Sequence, residues 1–133
     1  IDVRLIYQEW KVYMANTEML NYDVARAGWI GDFVDPINFL ECFKTGNGNN
    51  RTGWGNPEYD RLIDTARISN DQAERHALFQ QAEAILLDEA PFVPVFHYTR
   101  AILVAPEVQN FQPNILSYVP YDTLWLDPDA VTS

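Results

Sequence analysis

The chain carries a single cysteine, Cys42, so no intrachain disulfide can form and no thiolate-rich metal site can be built. Cations are scarce: nine Lys and Arg stand against nineteen Asp and Glu, for a net charge of −10 and a pI near 4.4. A surface of that sign repels phosphate backbones and anionic headgroups, which argues against nucleic acid and membrane as partners. No apolar run approaches the roughly 18 residues that a spanning helix needs. The two histidines, His76 and His97, lie far apart with no second metal-type ligand at useful spacing, whereas zinc takes three or four N or S ligands. No Ser/His/Asp or Cys/His arrangement has a motif-like spacing. There is no starting Met and no basic segment leading into an apolar one, so the sequence reads as an internal start, processed or cut from something longer.

What is present suits a folded domain. Apolar residues make up 47% of the 133 positions and aromatics 14%, enough for a core despite the net charge. Val3, Leu5 and Tyr7 alternate as in a half-buried strand over residues 2–9. A short helix follows, carrying Trp10, Tyr13, Met14 and Leu20, and then a second strand around Tyr22 and Val24. Strand, helix and strand of this length form a plausible βαβ unit.

Asp35-Pro36 opens a helix that would pack Ile37, Leu40 and Phe43, the acid serving as N-cap. Asn56-Pro57 opens another in the same way, with Leu62, Ile63 and Ala66 on one side. Asp71 with Glu74 resembles a capping box before the clearest helix, whose expected buried stripe is Ala73, Ala77, Leu78, Ala82, Ile85 and Leu86. After Pro91 the character turns β-rich over FVPVFHYTRAILV. Beyond Arg100 there is no Lys or Arg, and four of the eight prolines fall there. An apolar, proline-rich tail of this kind usually covers another body of protein.

Candidate chemistry is sparse. Asp32 and Asp35 invite comparison with a carboxylate pair of the glycosidase kind, but Asp35 is better used as a helix cap. Asp32 has no capping role. It sits after an apolar stretch beside Trp29 and Phe33, and is either paired with a local cation or placed to meet a ligand cation. The Gly/Asn-rich segment GNGNN lacks the Lys and the following helix of a phosphate loop and is expected to be a flexible connection. Asn50-Arg51-Thr52 is a formal glycosylation sequon, and Cys42 is expected to be buried and inert. Trp10, Trp29 and Trp54 either pack the core, which the pattern alone favours, or wall a pocket for varied apolar side chains.

Five segments in order carry a resemblance: QEWK (8–11), YDVARAGW (22–29), GDFVDP (31–36), GNGNNRTGW (46–54) and FVPVFHY (92–98). Over essentially the whole chain they resemble the C-terminal part of the oligopeptide- and dipeptide-binding proteins, the extracellular solute-binding family 5. The resemblance implies an α/β fold, a C-terminal fragment of a two-lobed, periplasmic-binding-protein-like architecture (class II, cluster C) whose lobes close about a hinge. It implies that residues 1–92 belong to the second ligand-binding lobe, and that 93–133 cross the hinge and return to the first. It also implies capture of small peptides for an ABC importer with its permease subunits, outside the cytoplasm in the periplasm or at the cell surface, where a lipid on the missing N-terminal portion would be the anchor. No catalysis, cofactor or metal is implied. With that portion absent, dimerisation through the tail is a further expectation.

Carried over by position, Asp32 matches the acid that binds a peptide's α-ammonium. The backbone around Gly28 and Ile30 matches the strand that hydrogen-bonds the ligand main chain. Trp10 and Trp29 match aromatics that line side-chain pockets, Arg26 a basic residue that meets the far carboxylate, and Tyr98 a contact near the hinge. One departure is Thr17, where well-known oligopeptide binders carry an Arg. The alternatives are a family member that binds another solute (a nickel complex, sugar or opine), a hydrolase using Asp32 and Asp35, and an interaction domain whose tail binds a protein.

Overall fold

The computed structural model describes residues 2–131 apart from positions 115 and 117. Four α-helices, α1 (Trp10–Glu18), α2 (Ile37–Leu40), α3 (Pro57–Ile68) and α4 (Gln72–Glu89), precede two short strands, β1 (Val108–Gln109) and β2 (Trp125–Leu126). A 3-10 turn, Glu41–Phe43, continues α2, and two more, Tyr121–Thr123 and Pro128–Val131, flank β2. The chain divides into two compact units: Ile1–Ile30 with Asp35–Val93, and Gly31–Val34 with Pro94–Ser133.

The core of the first unit is helical. On α3, Tyr59, Leu62, Ile63 and Ala66 recur at the three- and four-residue spacing of one helix face, and all four are essentially inaccessible. They meet Phe79, Ala82 and Leu86 of α4 and Ile37 of α2, with Leu78 and Ile85 packed at the margin. The expected α4 stripe is thus right at Leu78, Ala82, Ile85 and Leu86. Ala73 and Ala77 are exposed instead, because the stripe begins at Arg75 and runs through Phe79. Cys42 is buried, its Sγ 3.3 Å from the Asn38 carbonyl oxygen.

The ends of these helices follow the sequence closely. Asn56 Oδ1 accepts from the backbone N–H groups of Glu58 and Tyr59 ahead of α3. Asp71 Oδ1 accepts from Ala73 and Glu74 ahead of α4. Glu74 does not reach back to Asp71. It accepts from the Ser69 hydroxyl, and Ser69 Oγ in turn accepts the Asp71 N–H, so the box closes through a third residue. Helix α4 ends at Ala90, which sits in the left-handed region at φ 46° without being glycine.

The expected strands over 2–9, 21–30 and 92–104 do not form a ladder among the described residues. Alternation marks a face that could be buried, but a strand exists only where a neighbour accepts its N–H groups. Without one, Leu5, Tyr7, Val24, Val93 and Val95 remain exposed.

In the second unit, β1 and β2 pair antiparallel with Val108 opposite Leu126 and Gln109 opposite Trp125. Asp127 N–H donates to the Glu107 carbonyl at 2.8 Å, and the Asn110 side chain donates to the Thr123 carbonyl. Ile102, Val104, Phe111, Val119 and Leu124 help line an apolar depression of about 280 Å³. Leu103, Tyr118, Tyr121, Trp125 and Leu126 stay largely exposed.

Candidate functional site

Asp35 is fully committed to structure. Its Oδ1 accepts the Ile37 N–H at 2.9 Å, capping the start of α2. The same carboxylate takes the Arg75 guanidinium in a two-pronged pair at 2.7 and 2.8 Å, and Arg75 also donates to the Ala66 carbonyl and lies 4.8 Å from the Phe79 ring centroid. The hydrogen bonds from Arg75, opposed by burial, hold the Asp35 carboxyl below its ordinary value. A carboxylate so held is a poor general acid, and the arrangement leaves Asp32 and Asp35 in different roles. Asp32 itself is exposed and makes no hydrogen bond or ion pair with another described residue. It belongs, with Tyr98, to the second unit. Tyr98 is 54% exposed, its ring edge-on to Phe96 at 5.0 Å.

Within the first unit, two small clusters hold the remaining expected residues. Trp10, at the first position of α1, stacks on Tyr13 with ring centroids 5.4 Å apart, and the Tyr13 hydroxyl donates to the Arg26 carbonyl at 2.8 Å. Arg26 is exposed, as are Gly28 and Ile30, and no hydrogen bond among the described residues uses the main chain of Gly28 or Ile30. Trp29 donates its indole N–H to Asn38 Oδ1 at 2.8 Å, which fixes the ring against a residue only 2% exposed.

The core role that sequence pattern favoured for the tryptophans is therefore corrected at two positions. Trp10 is 66% and Trp29 39% exposed, and only Trp54 packs against the core, edge-on to Tyr59. Neither exposed ring lies on the helix faces that supply the core, and each is held at one end by a local partner instead.

The loop over 44–56 also departs from expectation. Asn50 donates through Nδ2 to the carbonyls of Phe43, Lys44 and Trp54 and accepts through Oδ1 from the Thr52 N–H and hydroxyl. Trp54 and Asn56 both donate to the Glu89 carboxylate at the end of α4, and Lys44 pairs with Asp64 of α3. Five polar contacts on one side chain make this a built loop rather than a flexible connection. Its Arg51 reaches α1: Nη1 lies 2.8 Å from Met14 Sδ and 3.4 Å from the Thr17 hydroxyl, and Nη2 3.4 Å from Glu18. The Tyr22 hydroxyl donates to the Arg51 carbonyl. Thr17, the position of the departure, is 4% exposed and donates to the Met14 carbonyl.

Sequence reasoning did not single out Tyr13, Asn38, Asn50 or Arg51 as parts of this region. Their signal is long-range contact, which no local spacing reveals. Among the described residues no group of three or more His, Cys, Asp or Glu side chains could hold a metal ion, and no helix is long and apolar enough to cross a membrane.

No protein-family model matches the chain. It is 39% identical over 127 residues to the dipeptide-binding protein DppE of Bacillus subtilis, covering 96% of this chain and 23% of that protein. To the oligopeptide-binding protein OppA of the same organism it is 45% identical over 100 residues, covering 74% of this chain and 18% of that one. The solved structure of the Escherichia coli murein tripeptide binding protein MppA superposes with a TM-score of 0.79 at 33% identity, covering 94% of this chain and 25% of that chain. The chain therefore spans about a quarter or less of the length of the relatives it matches. It belongs to the family of oligopeptide- and dipeptide-binding proteins and represents an α/β portion of their two-lobed, periplasmic-binding-protein fold.

Proposed function

We propose that this chain is part of the peptide-capture component of a bacterial ABC importer, and that it anchors the free α-ammonium of small peptides on Asp32. The observation that carries the reading is the contrast between two carboxylates close in sequence. Asp35 is used up by Arg75 and a helix start, whereas Asp32 has no cation or donor among the described residues. An ammonium about 4 Å from a carboxylate gains on the order of 4 kcal/mol at an effective dielectric of 20, before desolvation takes its share. The unused main chain around Gly28 and Ile30 suits backbone recognition that ignores side-chain identity. Trp10 and Trp29 offer exposed aromatic faces, Arg26 a cation for the far carboxylate, and Tyr98 a further contact.

In this reading residues 1–92 serve the second lobe and 93–133 the return to the first, which accounts for the exposed apolar side chains of the tail. The protein works outside the cytoplasm, with permease subunits as partners, and performs no catalysis. The commitment of Asp35 to Arg75 counts against a two-carboxylate hydrolase. Calorimetric titration of the full-length protein with di-, tri- and tetra-alanine, free and N-acetylated, tests the anchor. Free peptides should bind and acetylation should abolish binding. Equal binding of both forms removes Asp32 from the role, and no binding of either moves the search to other solutes.

A further inference from the structure

The loop over 44–56 delivers a cation into a setting that does not satisfy it. The Arg51 side chain is 27% exposed, yet its only ion pair among the described residues is a 3.4 Å contact with Glu18, whose own side chain is 60% exposed. Its second polar contact, with Thr17, is equally long, and its shortest neighbour is a thioether, a weak acceptor. Nε is the one buried side-chain nitrogen or oxygen left without a hydrogen-bond partner among the described residues. A guanidinium carries five N–H donors matched to the two oxygens of a carboxylate. Arg75 and Arg61 both achieve that match, with contacts of 2.6 to 2.8 Å. In a chain with nineteen carboxylates, Arg51 is held away from such a partner.

The placement is built. The Arg51 carbonyl accepts from Tyr22, and its neighbour Asn50 fastens the loop to three carbonyls. The guanidinium rests on the half-buried Met14 and the buried Thr17, so it cannot swing to bulk water without uncovering α1.

We propose that Arg51 is the receiving site for a ligand carboxylate. The incoming group takes the Nη pair and displaces Glu18, which returns to water with little loss because its contact is long and exposed. The inference rests on the peptide reading above and adds to Arg26 a second cation for the negative end.

The test uses the full-length protein and an alanine peptide series, whose only charges are the termini, in free, N-acetylated and C-amidated forms. Amidation should weaken binding to the unaltered protein roughly tenfold or more, and to Arg51→Gln by a factor at least about threefold smaller, since the lost contact is a charge-assisted pair while Arg26 remains. An equal amidation penalty in both, with Arg51→Gln folded by circular dichroism, overturns the proposal. Should Arg51→Gln fail to fold, Glu18→Gln decides. Removing the competing carboxylate should tighten the free peptide and leave the amide unchanged, and no change in either overturns the assignment. If acetylation abolishes binding while amidation is indifferent to Arg51, the Asp32 anchor stands and only this inference fails. If no free peptide binds, both fall.

Discussion

Replacing Arg75 with methionine removes a two-pronged ion pair while keeping most of the side-chain volume. In a fully buried setting the loss of one partner costs about 3–5 kcal/mol, because the other charge is left stranded. Here the Asp35 and Arg75 side chains are 25% and 17% exposed, so water recovers part of the loss. Loss of the bond to the Ala66 carbonyl and of the ring contact with Phe79 adds to the cost. The expected destabilisation is about 2–4 kcal/mol at neutral pH. Asp35→Asn should cost less, because an amide oxygen can still accept the Ile37 N–H.

The pH dependence is more diagnostic. Asp35 has a folded-state pKa below its unfolded value, so its contribution is complete above the unfolded value near pH 4 and is lost as pH falls through the folded one. Urea unfolding followed by circular dichroism should therefore show a gap between the unaltered and Arg75→Met proteins that is full at neutral pH and shrinks below about pH 4. A gap that is unchanged at pH 2.5, or one under about 0.5 kcal/mol at pH 7, would refute the assignment of the pair as a stabilising one.

Two further substitutions probe the frame. Trp29→Phe removes the indole N–H that Asn38 accepts at 2.8 Å in a nearly inaccessible position, and should cost about 1–2 kcal/mol in urea unfolding. The same change in an Asn38→Ala background should cost measurably less, and equal costs would show that the bond contributes nothing. Ala90→Gly relieves a left-handed residue at φ 46° that closes α4, and should raise stability by about 0.5–1 kcal/mol in thermal unfolding. A lowered midpoint would contradict that reading.

The parts legible in the sequence are those whose cause is local. Asn56-Pro57 and Asp71 start helices because a short polar side chain can satisfy orphan N–H groups two or three residues on, and Asp35 does the same. The α3 stripe was legible because its spacing is its cause. The α4 stripe is legible only in part, since Ala73 and Ala77 resemble core residues in composition but lie off the face set by Phe79. Alternation suggests a strand but does not say whether a neighbour is present to pair with. At the site, Asp32 stood out because nothing local needed it. Arg51 did not, because its meaning lies in a contact with α1 more than thirty residues away.

The hydrogen bonding of Asn50 has a practical consequence for producing the protein. Asn50-Arg51-Thr52 is an acceptor triplet for N-linked sugar wherever a secretory pathway carries the enzymes for it. The nitrogen that would carry the sugar is the one already shared among the carbonyls of Phe43, Lys44 and Trp54. Glycosylation would consume one of its two hydrogens and place a bulky group inside the loop. A yeast or insect-cell host would thus yield a chain decorated before folding at the one asparagine whose amide closes the loop. A host that lacks this modification avoids the conflict.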